Sequence, residues 1–433
     1  MPAQPAPFRI VVLGAGFAGL RTVGELCKRR ARLGSTCELT LIDRAPHHVY
    51  WPLLYEVCTA LEETDPKDVC ADDLQAGICL RVDDYVNILR KKRVRFLRGD
   101  VQGVDREQKV VKLDGGRTVP FDVIVFALGT TTATFNIPGV AEQAYTMKSV
   151  EHALAIRERL KSFINAYVHG EEARISVLVA GAGPTGTEFS AELGNFFHRL
   201  VKSGILRPAD FEIRLVEAGP DILPMCSPAI RARARERLAE LGVSIMTDTK
   251  VTKLEKGRIT LEMKTEKGEE TRDFEADVVV WSGGIRPLDI IKALDVQLDE
   301  KGYISVEPTL EVKGFEQAFA LGDCAGIVHP VSGKRVPALG QAAVKEAAIV
   351  AENITRRLQR VGLVSWTPPE RWITVVPLGG KYAIADFGAF HLHGLMGYAV
   401  RKAADLLYFL SVLPLVQAVQ LWMKGAVVYM KND

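Results

Sequence analysis

The chain has 433 residues, 48% apolar and 25% charged, a balance typical of a globular protein with two or three domains. Lys and Arg number 55 and Asp and Glu 53, so the formal net charge of +2 provides no field favouring nucleic acid. The seven cysteines form no C-x-x-C pair, which argues against a disulfide framework, an iron–sulfur cluster or a redox dithiol. We expect no nucleic-acid partner and no bound metal.

A glycine-rich turn stands near the start of the chain, where the apolar strand FRIVVL runs into GAGFAG and a helical pattern follows over Leu20 to Arg30. In such a turn Gly14 allows the tight bend and Gly16 lets the backbone approach a pyrophosphate, while Gly19 lets the helix pack on the sheet. The acid that ends the next strand, Asp43, is placed to bind the ribose hydroxyls of an adenosine. The pattern predicts a dinucleotide site.

The same construction returns 167 residues later, where ISVLVA is followed by GAGPTG. Three glycines take the places of the first set: Gly181, Gly183 and Gly186. Glu217 ends the next strand as Asp43 does, and its carboxylate would accept from a ribose 2′-hydroxyl but repel a 2′-phosphate, which favours NADH over NADPH. Each unit later has a buried strand ending in glycine, at Gly129 and Gly284. We predict an α/β fold with two Rossmann-like dinucleotide-binding domains.

Two dinucleotide sites in a chain without a redox dithiol or cluster cysteines indicate that one of them holds a flavin. A flavin accepts a hydride and releases electrons singly or in pairs, whereas two nicotinamides would have nothing to exchange with. The first site is the flavin candidate, because the segment from Ala320 to Asp323, which includes Gly322, is a short strand ending in an acid. We expect non-covalent FAD at the first site and NADH at the second.

The order of these motifs resembles that of the two-dinucleotide-binding flavoproteins: G-x-G-x-x-G, then ALGT at 127–130, a second G-x-G-x-x-G, and LGD at 321–323. Within that group, WPLLYE at 51–56 is similar to the PLLY segment of type II NADH dehydrogenases, and GAGPTGTE at 181–188 resembles their second nucleotide motif with its glutamate. The resemblance implies a single-chain, non-proton-pumping NADH:quinone oxidoreductase that carries FAD and sits on the membrane surface.

The resemblance also implies roles for individual residues. Pro52 and Leu53 would lie by the cofactor. Glu188 would orient the nicotinamide carboxamide and sense the charge of the rings, although a carboxylate in the first turns of a helix also simply complements the helix dipole. Hydride transfer itself needs no protein acid or base, only stacked rings.

The quinone-site helix of that family usually reads A-Q-x-x-x-Q, whereas here GQAAVKE spans 340–346. The first glutamine is kept as Gln341, and Lys345 replaces the second. We predict that these two residues lie on the quinone face of the flavin, opposite Glu188. Two alternatives stay open: sulfide:quinone oxidoreduction, for which Cys324 beside Asp323 is the candidate sulfur carrier, and a signalling flavoprotein that binds NADH with weak turnover.

The motifs divide the chain into four segments. We predict the first part of the FAD-binding domain over 1–150, the NADH-binding domain over 151–285, a return to the FAD-binding domain over 286–368, and a C-terminal strand with amphipathic membrane-anchoring helices over 369–433. A charged amphipathic helix from Ser149 to Val168 would lead into the second domain.

The C-terminal segment has 18 residues without a charge, from Leu406 to Met423, interrupted by Pro414. On a helical projection a narrow polar stripe opposes a wide apolar face. The stripe consists of Gln417, Gln420, Lys424 and Lys431. The apolar face consists of Leu415, Val419, Trp422, Met423, Ala426, Tyr429 and Met430. We predict a helix in the headgroup plane on the cytoplasmic side of a membrane, the alternatives being packing on the protein's own core or on a homodimer partner.

Overall fold

The computed structural model describes residues 7–34, 37–60, 77–89, 93–171, 174–266 and 268–429. Part of the predicted tail helix lies outside the described residues, namely Met430, Lys431 and the side chain of Tyr429. The first predicted domain begins, and the last one ends, at residues that are also outside them. The two predicted Rossmann-like units are confirmed as two separate parallel sheets with helices packed against them. The boundaries between the four segments remain predictions.

The first sheet joins the N-terminal segment to a much later one. Its strands are, in order, Glu311–Val312, Phe315–Ala320, Val123–Phe126, Arg9–Leu13, Glu38–Asp43 and Val94–Arg98. All neighbours run parallel except the first pair. Because the carboxyl ends of parallel strands meet at one edge, the first glycine turn, Gly129 and the 321–323 segment lie along the same edge of this sheet.

The second sheet is parallel throughout. Its strands are, in order, Tyr145–Thr146, Val278–Trp281, Ile175–Ala180, Phe211–Val216 and Val243–Met246. A short antiparallel ladder between Thr130–Thr132 and Ile285–Pro287 connects the two units directly after Gly129 and Gly284. This ladder places the carboxyl edges of both sheets on the same side of the connection.

Helices cover the sheets and form the C-terminal part of the chain. They are Phe17–Lys28, Arg30–Leu33, Leu54–Thr59, Val82–Ile88, Val140–Gln143, Val150–Val168, Pro184–Lys202, Pro228–Glu240, Gly340–Leu358, Leu395–Val412 and Leu415–Tyr429. The helix after the first glycine turn begins at Phe17, three residues before the predicted start, because the turn itself supplies its first residues. Ser149 caps Val150–Val168 by accepting from the His152 N–H, as a serine before an apolar run favours.

Smaller antiparallel sheets complete the described part of the chain. They comprise Val101–Asp105, Val110–Leu113 and Thr118–Pro120; Thr249–Glu255, Arg258–Thr265 and Gly268–Glu275; Thr374–Pro377, Ala383–Asp386 and His391–Gly394; and His47–Val49 with Cys79–Arg81. The third of these sheets precedes the tail and packs on the helix Leu395–Val412.

The tail is two helices rather than one, because Pro414 interrupts the apolar stretch between Val412 and Leu415. Within the described residues, neither these two helices nor any other is long and apolar enough to cross a bilayer. The prediction for Trp422 is wrong: its indole N–H donates to the Lys402 carbonyl at 3.0 Å, so it faces the protein. Ala418 and Gly425 are buried on the same side of the helix.

Candidate active site

The first glycine turn leaves no room for side chains at two of its three glycines. Gly14 has φ +103°, and a Cβ there or on Gly19 would overlap a backbone carbonyl, that of Ala127 or that of Gly14. A Cβ on Gly16, by contrast, would meet nothing within 4 Å. Gly14 and Gly19 therefore permit the turn, and Gly16 leaves its outer face open to a ligand, as a pyrophosphate requires.

The second turn repeats this geometry glycine for glycine. Gly181 has φ +100°, and a Cβ there would lie 2.7 Å from the Ser282 carbonyl oxygen. A Cβ on Gly186 would overlap the carbonyl of Gly181, whereas Gly183 is open. Both turns thus present backbone N–H groups at the start of a helix with free space in front of them, which is the arrangement that binds a dinucleotide phosphate.

The two acids predicted at the riboses also brace the turns. Asp43 accepts from the backbone N–H groups of Ala15 at 2.6 Å and Ala45 at 2.8 Å. Glu217 accepts from those of Ala182 at 2.7 Å and Gly219 at 2.8 Å. A carboxylate oxygen has a second lone pair, so both acids remain able to accept a ribose hydroxyl. Burial raises the pKa of Asp43, and the two N–H groups act against this.

The segment 321–323 lies against the first turn, because a Cβ on Gly322 would be 3.1 Å from the side chain of Ala18. Gly322 has φ +69°, and its N–H donates to the carboxyl of Glu346 at 2.6 Å. Asp323 accepts from the Thr130 hydroxyl at 3.3 Å, directly after Gly129. These contacts bring Gly129, Gly322 and Asp323 to one edge of the first sheet.

Glu346 was not singled out from the sequence. It is 2% exposed, and burial raises its pKa to about 7. A helical pattern could have found it, because Ala342, Ala343, Glu346 and Ala347 form the buried face of the helix Gly340–Leu358. A carboxyl on an otherwise apolar buried face needs a partner, which here is the Gly322 N–H.

Glu188 lies two residues beyond Gly186, in the first turns of the helix Pro184–Lys202. The protein around its carboxyl group raises the pKa to about 8 by burial. The charge of Arg401 acts against this rise, and that of Asp405 adds to it. At neutral pH the carboxyl is therefore mostly protonated, a perturbation typical of functional sites.

The C-terminal helix Leu395–Val412 places a buried ion pair at the same site. Arg401 pairs with Asp405, and its second terminal nitrogen donates to the Pro52 carbonyl at 2.8 Å. The Tyr50 hydroxyl donates to Asp405 at 2.6 Å. Sequence reasoning placed Pro52 and Leu53 at the cofactor but missed all three polar partners, since no local motif links residues this far apart in the chain.

Gln341 and Lys345 lie on the exposed face of the helix Gly340–Leu358. The Gln341 amide donates to the Ile373 carbonyl at 2.9 Å, and the Lys345 ammonium lies 5.2 Å from the centre of the Trp372 ring. Phe17 lies against Gly340, where a Cβ would be 3.0 Å from its ring. The helix therefore begins beside the first glycine turn, and its two predicted quinone residues extend away from there.

Cys324 does not offer a sulfur carrier. Its side chain is fully buried, and its thiol lies against the carbonyls of Leu321 at 3.3 Å and Phe126 at 3.5 Å. Burial raises the pKa of this thiol to about 11, so it is protonated at neutral pH and unreactive. Cys226 is also buried, and its thiol pKa is raised to about 11 for the same reason.

The family model described as pyridine nucleotide-disulphide oxidoreductase matches residues 8–347, which include both glycine turns and the 321–323 segment. The chain belongs to this family. It is 28% identical over 400 residues to the type II NADH:quinone oxidoreductase of Staphylococcus aureus strain NCTC 8325, covering 92% of this chain and 94% of that protein. The enzyme of the same name from Staphylococcus saprophyticus is also 28% identical, over 401 residues, with the same coverage.

Solved structures share the fold over nearly the whole chain. NDH2 from Plasmodium falciparum in complex with NADH has a TM-score of 0.80 at 19% identity, covering 98% of both chains. The sulfide:quinone oxidoreductase from Aquifex aeolicus has a TM-score of 0.75 at 18% identity, covering 94% of this chain and 91% of that one. At these identities the likenesses establish the fold, and the site residues keep the roles assigned to them above as predictions.

The open spaces at Gly16 and Gly183 lead to a paired prediction. Both residues have extended backbone, so valine is tolerated there and should block only the space in front of its own turn. Gly16→Val should lower the flavin retained after desalting by about tenfold or more, whereas Gly183→Val should retain the flavin and lose reduction by NADH. Absorbance spectra before and after NADH addition measure both effects. Full flavin content in Gly16→Val would show that FAD binds elsewhere.

The raised pKa of Glu188 gives a stability prediction. Glutamate ionises near pH 4.3 in the unfolded chain and near 8 here, so the stability of the folded protein is full below about pH 4 and falls between these values as pH rises. Glu188→Gln removes this loss. The melting temperature of the variant relative to the parent should rise by roughly 2 °C or more between about pH 5 and about pH 8.

The exposed Glu107→Gln is the matched control, and its difference from the parent should be the same at both pH values. A pH-independent difference for Glu188→Gln as well would mean that the carboxyl of Glu188 ionises as it does in water.

Proposed function

We propose that the chain oxidises NADH with non-covalently bound FAD and transfers the electrons to a membrane quinone without pumping protons. The observation that carries this proposal is the pair of glycine turns of equal geometry, each with its own bracing acid, on two sheets joined by a short ladder. FAD supplies the chemistry that links the two substrates, because it accepts a hydride and releases electrons singly or in pairs. The curated relatives from Staphylococcus carry the same activity in their names.

The first turn is the better place for FAD. The 321–323 segment, the helix that begins at Gly340 and the turn at Pro52 all surround it, so a large cofactor there would be enclosed on several sides. Among the described residues, the second turn is contacted by the 282–284 segment and by Leu223, whose N–H donates to the Ala182 carbonyl at 2.8 Å. Both come from the second unit itself, which suits a substrate that must enter and leave. Glu217 next to that turn favours NADH over NADPH because it would repel a 2′-phosphate.

Glu188 is the predicted contact to the nicotinamide side. A protonated carboxyl donates one hydrogen bond and accepts others, so at neutral pH it suits a carboxamide, which has both a carbonyl and an amino group. Protonation also avoids a second negative charge in the site as electrons arrive. The environment of Glu188 therefore supports a role in orienting the substrate, in addition to the favourable interaction of its carboxyl with the helix dipole.

Gln341 and Lys345 are the predicted quinone contacts. The amide of Gln341 is a hydrogen-bond donor for a quinone oxygen, and the ammonium of Lys345 would stabilise negative charge that develops there. The contact of Lys345 with Trp372 holds the cation against an aromatic ring and keeps its charge at the edge of the site. Sulfide oxidation is disfavoured because the thiol of Cys324 is enclosed in the core.

The tail offers a membrane surface through a set of residues that shares Leu415 and Met423 with the predicted apolar face and otherwise differs from it. Large apolar side chains lie exposed on both tail helices and on the turn before them. They are Phe390, Leu395, Met396, Leu407, Leu410, Leu415, Val416 and Met423. Lys424 is exposed on the second helix and suits anionic headgroups. Exposed apolar side chains of this kind fit a peripheral membrane enzyme whose quinone stays in the bilayer, while a homodimer remains the alternative occupant.

The test of the activity is the rate of each half-reaction. Gln341→Ala should slow reoxidation of the reduced flavin by a soluble quinone by about tenfold and leave reduction by NADH within about twofold, because its amide is the proposed contact to the quinone. Stopped-flow absorbance follows both steps. Gln359→Ala at the other end of the same helix is the matched control and should change neither.

If the parent protein reduces no quinone with NADH, the proposed activity is wrong. An equal loss in both half-reactions of Gln341→Ala would instead contradict the assignment of this residue to the quinone side.

A single substitution that places a charge on the exposed face of the tail tests the proposed membrane surface. Leu407 is 67% exposed on the first tail helix, so Leu407→Glu should fold normally and lower binding to anionic vesicles by about tenfold or more. Val168, 64% exposed on a helix of the second unit, provides the control Val168→Glu, which should bind as the parent does. Vesicle flotation measures the bound fraction. Unchanged flotation of Leu407→Glu together with a change in oligomeric state would favour the homodimer.

A further inference from the structure

The helix Leu395–Val412 has two faces of opposite character. Its outer face is apolar and exposed, and consists of Leu395, Met396, Ala399, Ala403, Leu407 and Leu410. Its inner face carries Arg401, Asp405 and Phe409, which are 8%, 2% and 3% exposed. The spacing of i and i+4 puts the inner three on one side and the outer set on the other. One rigid element therefore separates the proposed membrane surface from a buried ion pair.

The two residues of the ion pair each contact the turn formed by residues 50–53. Arg401 donates to the carbonyl of Pro52, and Asp405 accepts from the hydroxyl of Tyr50. Within the turn, the Leu53 N–H donates to the Tyr50 carbonyl at 3.1 Å. The turn leads directly into the helix Leu54–Thr59, so its position also fixes where that helix begins. A shift of the tail helix would move these contacts together.

Aromatic contacts join the same inner face to the first glycine turn. The Tyr408 ring stacks on the ring of Tyr50 with centroids 5.1 Å apart, and its centroid lies 4.5 Å from that of Phe17, the residue after Gly16 in the glycine turn. The Tyr408 hydroxyl lies 2.6 Å from Nε2 of His48. The tail helix thus contacts the 50–53 turn and the proposed flavin turn at once.

Packing alone does not require this arrangement. A buried ion pair is often replaceable by apolar residues with no loss of stability, because removing two charges from water offsets most of their attraction. Apolar residues would not supply directional contacts, whereas a guanidinium donates hydrogen bonds and a carboxylate accepts them only at defined angles. The pair therefore suits the holding of the turn in one position.

We propose that Arg401 and Asp405 are positioning residues that couple the seating of the tail helix on a lipid surface to the conformation of the 50–53 turn beside the flavin. This inference rests on the proposed function. It predicts that binding to a bilayer orders the turn and speeds the quinone half-reaction, through contacts that lie on the side of the helix away from the lipid.

The test compares holoenzyme variants that keep the buried charges in balance. Arg401→Lys retains a cation for Asp405 but loses the planar group that reaches both Asp405 and the Pro52 carbonyl. Tyr50→Phe removes one hydrogen bond and leaves the ion pair intact. Tyr85→Phe is the matched control, because Tyr85 is also a buried tyrosine of the first unit, with its hydroxyl donating to the Leu20 carbonyl at 2.7 Å.

The first measurement needs no turnover. Hydrogen–deuterium exchange at the amides of Tyr50, Trp51 and Leu53 should slow by about fivefold or more when the parent binds vesicles of phosphatidylcholine and phosphatidylglycerol. The same slowing is expected in Tyr85→Phe. It should be reduced in Tyr50→Phe and absent in Arg401→Lys, although all four proteins float with the vesicles. A parent turn that is unaffected by vesicles, or a response of Arg401→Lys and Tyr50→Phe equal to that of the parent, would overturn the coupling.

The second measurement compares the rates of the two half-reactions, flavin reduction by NADH and flavin reoxidation by quinone. Arg401→Lys should slow flavin reoxidation by a bilayer quinone by about tenfold, and Tyr50→Phe by about threefold, with reduction by NADH within about twofold of the parent. Equal loss in both half-reactions would indicate general damage and contradict a positioning role. A parent that reduces no quinone refutes the proposed function alone, because the exchange measurement still decides the coupling.

Discussion

The rest of the site depends on the absence of a side chain at Gly19 and Gly186, because a Cβ at either position would overlap a backbone carbonyl. At each position the start of a helix touches the glycine turn that precedes it, so helix and strand meet at one distance and one angle. That contact leaves the middle glycine, Gly16 or Gly183, facing open space with helix N–H groups behind it. Because both turns obey the same constraint, the chain holds two equivalent ligand positions, and what distinguishes them must come from the segments that surround each.

Those surrounding segments come from distant parts of the chain. Gly322 lies against Ala18 of the first turn and is held there by Glu346, and Arg401 reaches the neighbouring Pro52 from the tail. In the described part of the chain the second turn itself is contacted from its own unit, at Leu223 and the 282–284 segment, and the tail residues Arg401 and Asp405 lie near Glu188 on the helix that follows it. This asymmetry is the physical basis for assigning a retained cofactor to the first position and an exchanging substrate to the second. It also means that the tail contributes to the site itself in addition to any role at a membrane.

The fold and the glycine turns were predictable because their signals are local, with strand, turn and helix following each other within about a dozen residues. The Arg401 contact to Pro52 spans 349 positions and has no motif, so the sequence offered nothing to connect them. Trp422 was misplaced for another reason. A helical projection shows that a helix has two faces, but when most of its residues are apolar it does not show which face meets the protein, and only the contact with Lys402 decides this.

Titratable side chains from three parts of the chain meet around Glu188. Glu188 comes from the second unit, Tyr55 from the helix after the 50–53 turn, and Arg401 with Asp405 from the tail. Burial favours the protonated form of Glu188, and Arg401 favours the ionised form, which leaves the pKa near 8. Arg401 keeps its charge at any physiological pH, since its neighbours hold its pKa well above the ordinary value. The fixed charge of Arg401 therefore lowers the free energy needed to ionise the buried carboxyl of Glu188, which burial alone would make larger.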